Sequence, residues 1–262
     1  MQTNDSWQSL LAQPEAGNHI VQICQNEIFL IETVTHFART GLNNDEAVIV
    51  ITTPARRKAI ISSLELGGDR ILDYKNQGQI RFFDAEILLS SFMVEGMPEW
   101  EPFFKNVGPI LQVMQANYKK IRAYGDMVNI LWQNKQHDAA IQLEKFWNDL
   151  SDQEEFSLLC AYSIDNLNPD SYDGSLARIC QCHSHLIPTE NYDLLEAAVQ
   201  EATYNVLGPT LTQALIKLAA ARQTNTQMPS AQATLLFLSE KMPLMAKKIL
   251  AHTQTYYAAN AN

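Results

Sequence analysis

Five short, almost continuously apolar segments alternate with segments of helical period, and this alternation most limits the folds open to the chain. The apolar segments are His19–Cys24, Ala47–Ile51, Ile80–Phe83, Ile121–Tyr124 and Phe156–Tyr162. Such runs are typical of parallel strands, which helices cover on both faces. The stretches between them are long enough for right-handed crossovers. The sequence therefore predicts an α/β fold, a three-layer sandwich with a mainly parallel central sheet.

Cap and turn residues predict where the intervening helices begin and end. Asn26 is suited to cap a helix that runs to Arg39, and Gly41 to end it in a left-handed conformation. Thr53 and Pro54 offer a hydroxyl cap and a first-turn proline for the next helix.

After Tyr162 the alternation stops. Residues 203–207 are predicted as an edge strand, whereas residues 231–257 have an apolar stripe at helical spacing that Pro243 should kink or split. The predicted parts are an N-terminal arm over residues 1–18, a domain over residues 19–190, and a mostly helical extension over residues 191–262 that packs on the domain or on a partner.

Charge and composition exclude some functions. The net charge of −10 argues against direct nucleic-acid binding, and Arg56-Arg57-Lys58 is interpreted as a solvated helix face. No apolar run approaches the roughly 20 residues of a membrane span, and no signal peptide is apparent at the start. Cys24 and Cys160 fall in apolar runs where reduced cysteine packs as a small hydrophobe, so a cytoplasmic location is expected.

The motifs of nucleotide enzymes are missing from the sequence. The first strand is followed by Gln25-Asn26-Glu27, which has no glycine and no Lys-Ser/Thr pair for a phosphate. Neither GxGxxG nor GxSxG occurs elsewhere. We therefore predict a protein that is not an enzyme and needs no cofactor.

One cluster resembles a metal site, although its spacing is poor. It consists of Cys180, Cys182, His183 and His185. Alternate residues on one short segment rarely close a tetrahedron around zinc. The sequence favours a helix end with one buried histidine that hydrogen-bonds locally, and no metal site is predicted.

Polar residues at predicted strand ends allow two interpretations. Open α/β sheets bind ligands at the carboxyl ends of their strands. Asp126 lies just past such an end, and with Trp132, Glu144 and Trp147 it would line a pocket or a switch. The alternative, which the sequence favours, is a helix cap and core aromatic residues.

Other side chains leave the same choice open. His19 would point at a ligand or be a satisfied structural histidine. The remaining acids would gather as a pair or stabilise helix N-termini. They are Glu27, Asp84 and Glu86, together with Asp126.

A series of short motifs, in order along the chain, resembles the MEDS domain, a sensory domain of methanogen and methylotroph regulators. The motifs are His19; Gly41-Leu42 before Asp45-Glu46; Thr53-Pro54; Phe92-Met93 with Gly96; Arg122-Ala-Tyr-Gly-Asp-Met-Val128; Leu131-Trp132; Leu143-Glu144 with Trp147-Asn148; and Leu159-Cys-Ala-Tyr162. The similarity covers about His19 to His185. Asp126 departs from the family, which more often has glutamate there, and a shorter carboxylate reaches less far.

The resemblance implies a RecA/KaiC-like sandwich without a phosphate loop. It also implies a non-enzymatic sensor of a small, hydrocarbon-derived molecule that signals through a separate protein, such as a histidine kinase or a transcription regulator. Whether the chain forms a homodimer is left open. The candidate ligand-binding or switch residues are His19, Glu27, Arg122, Tyr124, Asp126, Trp132, Glu144, Trp147, Cys160 and Tyr162.

Two other functions compete with the sensor. The first is a metal- or nucleotide-dependent enzyme that uses acidic residues at the strand ends. The second is an interaction module with an empty pocket.

Overall fold

The fold is described by a computed structural model that covers residues 4–172, 174–221 and 226–261. Its strands are β1 (His19–Ile23), β2 (Ala47–Thr52), β3 (Ile80–Asp84), β4 (Met93–Val94), β5 (Met97–Pro98), β6 (Ile121–Gly125), β7 (Ser157–Tyr162) and β8 (His185–Ile187). Its α-helices are α1 (Asn4–Ala12), α2 (Glu27–Asn43), α3 (Pro54–Leu66), α4 (Ile71–Asn76), α5 (Ala85–Ser90), α6 (Trp100–Gln115), α7 (Met127–Gln133), α8 (His137–Ser151), α9 (Ser175–Gln181), α10 (Tyr192–Ala221), α11 (Ser230–Lys241) and α12 (Pro243–Asn260). A 3-10 helix covers Pro169–Tyr172.

Six strands form one parallel sheet in the order β3-β2-β6-β7-β1-β8, and β4 and β5 form a separate antiparallel pair. Strand β2 pairs in parallel with β3 and with β6, and β6 pairs in parallel with β7. Every residue of β1, β2, β6 and β7 is buried, as expected when helices cover both faces of a sheet. The predicted α/β fold with a mainly parallel sheet and a helical C-terminal region is confirmed.

The chain divides into two compact units. The first comprises the residues up to Gln22 and Asn26–Ser163, and the second comprises Ile23–Gln25 and the residues from Ile164 onward. This division falls earlier than the domain boundary predicted at residue 190, and the predicted domains stay a prediction. In the second unit, Ala202, Leu215, Leu238, Ala246 and Ile249 form an apolar core shared by α10, α11 and α12.

The prediction that Gly41 ends helix α2 is wrong. The helix continues to Asn43, and Gly41 lies inside it. A Cβ atom on Gly41 would lie 2.8 Å from both Cδ and Nε of Arg122. The glycine is there because the buried arginine passes close to the helix backbone.

The predicted edge strand at residues 203–207 is also wrong, since these residues lie within α10. The Oγ1 of Thr203 donates a hydrogen bond to the carbonyl of Val199 (2.6 Å). Ala202 belongs to the core of the second unit, and Val206 packs against it. Packing at helical spacing overrides the β-propensity of threonine and valine at this place.

The predicted split at Pro243 is confirmed, because α11 ends at Lys241 and α12 begins at Pro243. The strand β8 (His185–Ile187) is absent from the sequence-based prediction. Three residues are too few for a period to distinguish strand from helix.

Candidate functional site

A buried carboxylate lies at the carboxyl end of β6. The side chain of Asp126 is fully buried, and its backbone N–H donates to the carbonyl of Ile51 (2.9 Å). Its Oδ2 accepts a hydrogen bond from the hydroxyl of Thr52 (2.7 Å), and its Oδ1 accepts one from the hydroxyl of Tyr124 (3.0 Å). Asp126 immediately precedes α7, yet it makes no side-chain cap bond. Asp126 is thus the N-cap residue of α7 by position, while its carboxylate bonds to Thr52 and Tyr124 instead of the helix amides. Asp84 does cap α5 with its side chain, through the amides of Glu86 and Ile87.

Arg56 links this buried carboxylate to a second carboxylate nearer the surface. Its Nη1 lies 2.5 Å from Oδ1 of Asp126. Its Nε and Nη2 donate to the two carboxylate oxygens of Glu27, at 2.7 and 2.8 Å. The side chain of Arg56 is only 13% exposed, so its predicted place on a solvated face is wrong; the side chain of Glu27 is 55% exposed. We call Glu27, Thr52, Arg56, Tyr124 and Asp126 the edge network.

Two members of the edge network, Arg56 and Tyr124, have raised pKa values and keep their protons at neutral pH. Burial alone would lower the pKa of Arg56, but hydrogen bonding to Glu27 and the charge of Asp126 outweigh burial and raise it. Burial raises the pKa of Tyr124 well above its ordinary value, and the carboxylate of Asp126 raises it further. Arg56 therefore stays a cation and Tyr124 a neutral donor, so neither is suited to accept a proton as a general base.

A second buried polar cluster lies between β1, β7 and α8. The Nε2 of His19 lies 3.2 Å from Oε2 of Glu144 and 3.4 Å from Sγ of Cys160. The Nδ1 of the same imidazole lies 2.8 Å from Oδ1 of Asn148. Cys160 Sγ lies 3.6 Å from Oε2 of Glu144, and the hydroxyl of Tyr162 donates to Oε1 of Glu144 at 2.6 Å. We call these five residues the imidazole cluster.

The remaining candidate residues lie apart from these two groups or beside them. Trp132 stacks on His137 with ring centroids 3.9 Å apart and makes an edge contact with Tyr162. Trp147 packs in an aromatic core with Phe103 and Phe156. The structure thus brings together eight of the ten predicted residues, if the edge contact of Trp132 is included, but as two groups with separate partners.

Arg122 is held by the chain's own acceptors. It pairs with Glu46 through Nε and donates to the carbonyls of Leu11 (2.7 Å), Phe37 (3.0 Å) and Ala12 (2.8 Å). These contacts tie α1 and the end of α2 to β6, so the side chain is engaged in holding the first unit together.

Among the described residues, Cys180, Cys182, His183 and His185 are not grouped as the ligands of one metal ion. Cys180 is buried, and burial raises the pKa of its thiol to about 12. The Nδ1 of His183 lies 2.7 Å from the carbonyl of Ile179, and the Nδ1 of His185 lies 2.8 Å from the hydroxyl of Ser184. The predicted buried histidine that hydrogen-bonds locally at a helix end is confirmed in His183.

The second unit also has a cleft of about 480 Å³ next to the 3-10 helix. Its lining includes Tyr172, Ala177, Leu236, Ser239 and Lys247. A cleft of this volume falls within the range of small-molecule sites.

Sequence reasoning missed Arg56, Thr52 and Asn148 as members of these groups. Arg56 lies in the first turn of α3, directly after the carboxyl end of β2, and that position is the signal that could have found it. Asn148 follows Trp147 on the buried side of α8, and only the contact with His19 reveals its role.

The six-stranded parallel sheet with polar residues at the carboxyl end of β6 defines an open α/β domain, a class of fold whose ligand sites lie at that edge of the sheet. The model of one protein family matches residues 18–184, and its description is "MEthanogen/methylotroph, DcmR Sensory domain". Because the match covers more than half of the chain, the chain belongs to the MEDS family of sensory domains. A search of curated proteins finds no match.

In the described ranges, no helix combines the length and the apolar character that crossing a membrane would require.

Proposed function

We propose that this chain is a non-enzymatic sensory protein that binds a small molecule at the carboxyl edge of its sheet and signals through a separate protein. The proposal rests on one observation: Arg56 joins the fully buried Asp126 to the half-exposed Glu27. A buried ion pair whose outer partner is exposed can exchange that partner for a ligand. Membership in a sensory-domain family supports the general role.

The proposed switch is the replacement of Glu27 by an acceptor group on the ligand. Glu27 is in the first turn of α2, so its release would free the start of that helix. Asp126 keeps Arg56 charged and oriented in both arrangements, so only the outer half of the guanidinium changes partner. A ligand shifts the balance between two arrangements only if it binds one more tightly, and competition with Glu27 supplies that difference.

The absence of turnover is part of the proposal. The guanidinium of Arg56 lies between the two carboxylates, where the alternative of a metal-dependent enzyme would need a cation. The loop before α2 is used differently from a phosphate loop, because Oδ1 of Asn26 caps the amide of Phe29 (3.1 Å). These contacts favour recognition over catalysis at the edge, and a RecA/KaiC-like ancestry stays part of the proposal.

A thermal-shift screen tests ligand binding on the full chain. The panel contains small organic acids, alcohols, other one-carbon compounds and nucleotides. We expect an acid or a polar one-carbon compound to raise the melting temperature. Glu27→Gln should strengthen the binding of this compound, and Arg56→Ala should abolish the binding. Arg57→Ala is the matched control. A panel without any shift, or a shift that Arg56→Ala leaves unchanged, contradicts the proposal.

A second variant tests whether a ligand binds the cleft in the second unit instead of the edge network. Ser239→Leu puts a larger side chain into that cleft without touching the edge network. If a ligand loses its effect in Ser239→Leu and keeps it in Arg56→Ala, the ligand binds the second unit and the edge proposal is overturned.

Signalling to a partner is proposed from the apolar side chains that α10 exposes. Leu211 and Leu218 both follow the non-helical break at Gly208, lie seven residues apart, and are 59% and 56% exposed. Exposed apolar groups on a helix are a usual feature of protein contact surfaces. Leu211→Glu with Leu218→Glu should weaken capture of a regulator by the purified chain, measured with and without the ligand found in the screen.

A further inference from the structure

The imidazole cluster combines three side chains of different donor type around one point. The contributing atoms are Nε2 of His19, Sγ of Cys160 and Oε2 of Glu144, which lie among the atoms that could hold a metal ion together. All three residues are buried, with His19 at 5% exposure and the other two at 0%. The cluster therefore lies in a dry part of the first unit, where a bound cation would be shielded from water.

The three distances between these atoms fit a tetrahedral metal. They are 3.2 Å from nitrogen to oxygen, 3.4 Å from nitrogen to sulfur and 3.6 Å from sulfur to oxygen. Bond lengths of about 2.0–2.2 Å to nitrogen and oxygen and about 2.3 Å to sulfur place the donors of tetrahedral zinc roughly 3.3–3.6 Å apart. A single ion can thus lie at bonding distance from all three atoms with little movement of the side chains.

Neighbouring residues orient two of the donors in the way that metal sites require. The Nδ1 of His19 lies 2.8 Å from Oδ1 of Asn148, and an N–H on Nδ1 would leave the Nε2 lone pair facing Cys160 and Glu144. The hydroxyl of Tyr162 holds Oε1 of Glu144 at 2.6 Å and so leaves Oε2 for the cluster. Such outer partners fix the tautomer and orientation of ligands in metal sites.

Charge balance favours a divalent ion. Glu144 supplies one negative charge, and Cys160 supplies a second when its thiol gives its proton to solvent as the metal–sulfur bond forms. An ion of charge +2 then leaves a neutral centre, which suits a buried position. Mixed nitrogen, sulfur and oxygen donors suit zinc or a similar borderline ion better than the hard cations magnesium and calcium.

We propose that His19, Cys160 and Glu144 form a binding site for a zinc-class divalent metal ion between β1, β7 and α8. Asn148 and Tyr162 are its positioning residues. Three protein donors leave a coordination position for another donor or for a small ligand. The site is separate from the edge network, so either proposal can fail while the other stands.

Metal analysis of the full chain, purified without an affinity tag, is the first test. We expect close to one equivalent of zinc, either as isolated or after addition of zinc to the chelator-treated protein. Cobalt(II) added in place of zinc should give a thiolate-to-cobalt charge-transfer band, because Cys160 would be bound as thiolate. Protein that takes up no stoichiometric metal, or cobalt that binds without that band, overturns the proposal.

Matched variants locate the ion. Cys160→Ser and His19→Gln should lose the band, whereas Cys182→Ser, which removes a thiol outside the cluster, should keep it. Tyr162→Phe removes only the hydroxyl that orients Glu144 and should weaken metal affinity by about 10- to 100-fold. Circular dichroism checks that each variant folds. If Cys160→Ser and His19→Gln do not fold, the metal affinity of Tyr162→Phe tests the proposed site. A band that survives in Cys160→Ser, or an affinity that is unchanged in Tyr162→Phe, refutes the assignment.

Discussion

At the scale of single residues, Arg56 determines whether the charge of Asp126 is tolerated. Asp126 is fully buried, and Arg56 supplies its cationic partner. The hydroxyls of Thr52 and Tyr124 donate to the carboxylate but cannot neutralise it. Removing one member of a buried ion pair leaves the other charge uncompensated, which is far more costly than the loss of an exposed pair.

Arg56→Met should therefore lower the free energy of unfolding by about 3–5 kcal/mol, as measured by urea denaturation. Glu27→Gln removes only the exposed end of the network and should cost less than about 1 kcal/mol. The double variant Arg56→Met with Asp126→Asn should recover part of the loss, because no buried charge is then left alone. Equal losses in Arg56→Met and Glu27→Gln would contradict this account.

A second prediction at the scale of single residues concerns Gly41. An added Cβ would lie 2.8 Å from the middle of the Arg122 side chain, which five acceptors hold in place. Because the arginine cannot move away without losing these bonds, Gly41→Ala should destabilise the protein by about 1–3 kcal/mol.

Gly108 is the matched control, since it also lies inside a helix. Its added Cβ would meet Phe104 at 3.5 Å, an ordinary contact. Gly108→Ala should be neutral or stabilising by up to about 1 kcal/mol, because alanine favours the helix. Thermal unfolding of the two variants side by side checks the difference, and a loss of the same size in both would count against the role given to Arg122.

At the scale of elements, the helices of the second unit depend on a small apolar core. Leu238 on α11 is fully buried in that core, whereas Leu244 on α12 is 83% exposed. Leu238→Ala should cost about 2–5 kcal/mol and Leu244→Ala less than about 0.5 kcal/mol in urea denaturation. Similar losses would show that α12 packs differently from this description.

The sequence predicts elements where one local signal decides the structure. Asn26, Thr53 and Asp84 cap the helices as expected, because a cap needs only its own side chain and the next turn. The strands β1, β2, β6 and β7 are predicted because both of their faces are apolar.

The sequence-based predictions that are wrong concern residues whose environment depends on long-range contacts. The sequence predicts a helix end at Gly41 because nothing local reveals Arg122, which approaches it from 81 positions later in the chain. The sequence predicts a solvated Arg56 for the same reason, because its partners Glu27 and Asp126 lie 29 and 70 positions away. Residue type and position in the sequence thus identify candidate residues. Their division into two groups depends on tertiary contacts that only the folded structure shows.

At the scale of the whole molecule, each of the two units buries side chains that are neutral at pH 7 and can lose a proton at alkaline pH. These groups should make the stability of the protein depend on pH in the alkaline range. Burial raises the pKa of Tyr124 in the first unit and of Tyr172 in the second, and it raises the pKa of Cys180 to about 12. Unfolding returns each group to a pKa of about 10 for tyrosine and about 8.5 for cysteine. The unfolded chain therefore releases these protons at a lower pH than the folded protein does.

A raised folded pKa gives stability that is complete below the unfolded pKa and is lost as pH rises toward the folded value. The free energy of unfolding should then begin to fall above about pH 8.5, by up to about 1.4 kcal/mol per pH unit for each group. Urea denaturation between pH 7 and pH 10.5 measures the slope. Cys180→Ala should reduce the dependence of the unfolding free energy on pH. Cys182→Ala should preserve most of that dependence, because burial raises the pKa of Cys180 more than the nearby Cys182 does. A slope that Cys180→Ala does not change would mean that water reaches this thiol in the folded protein.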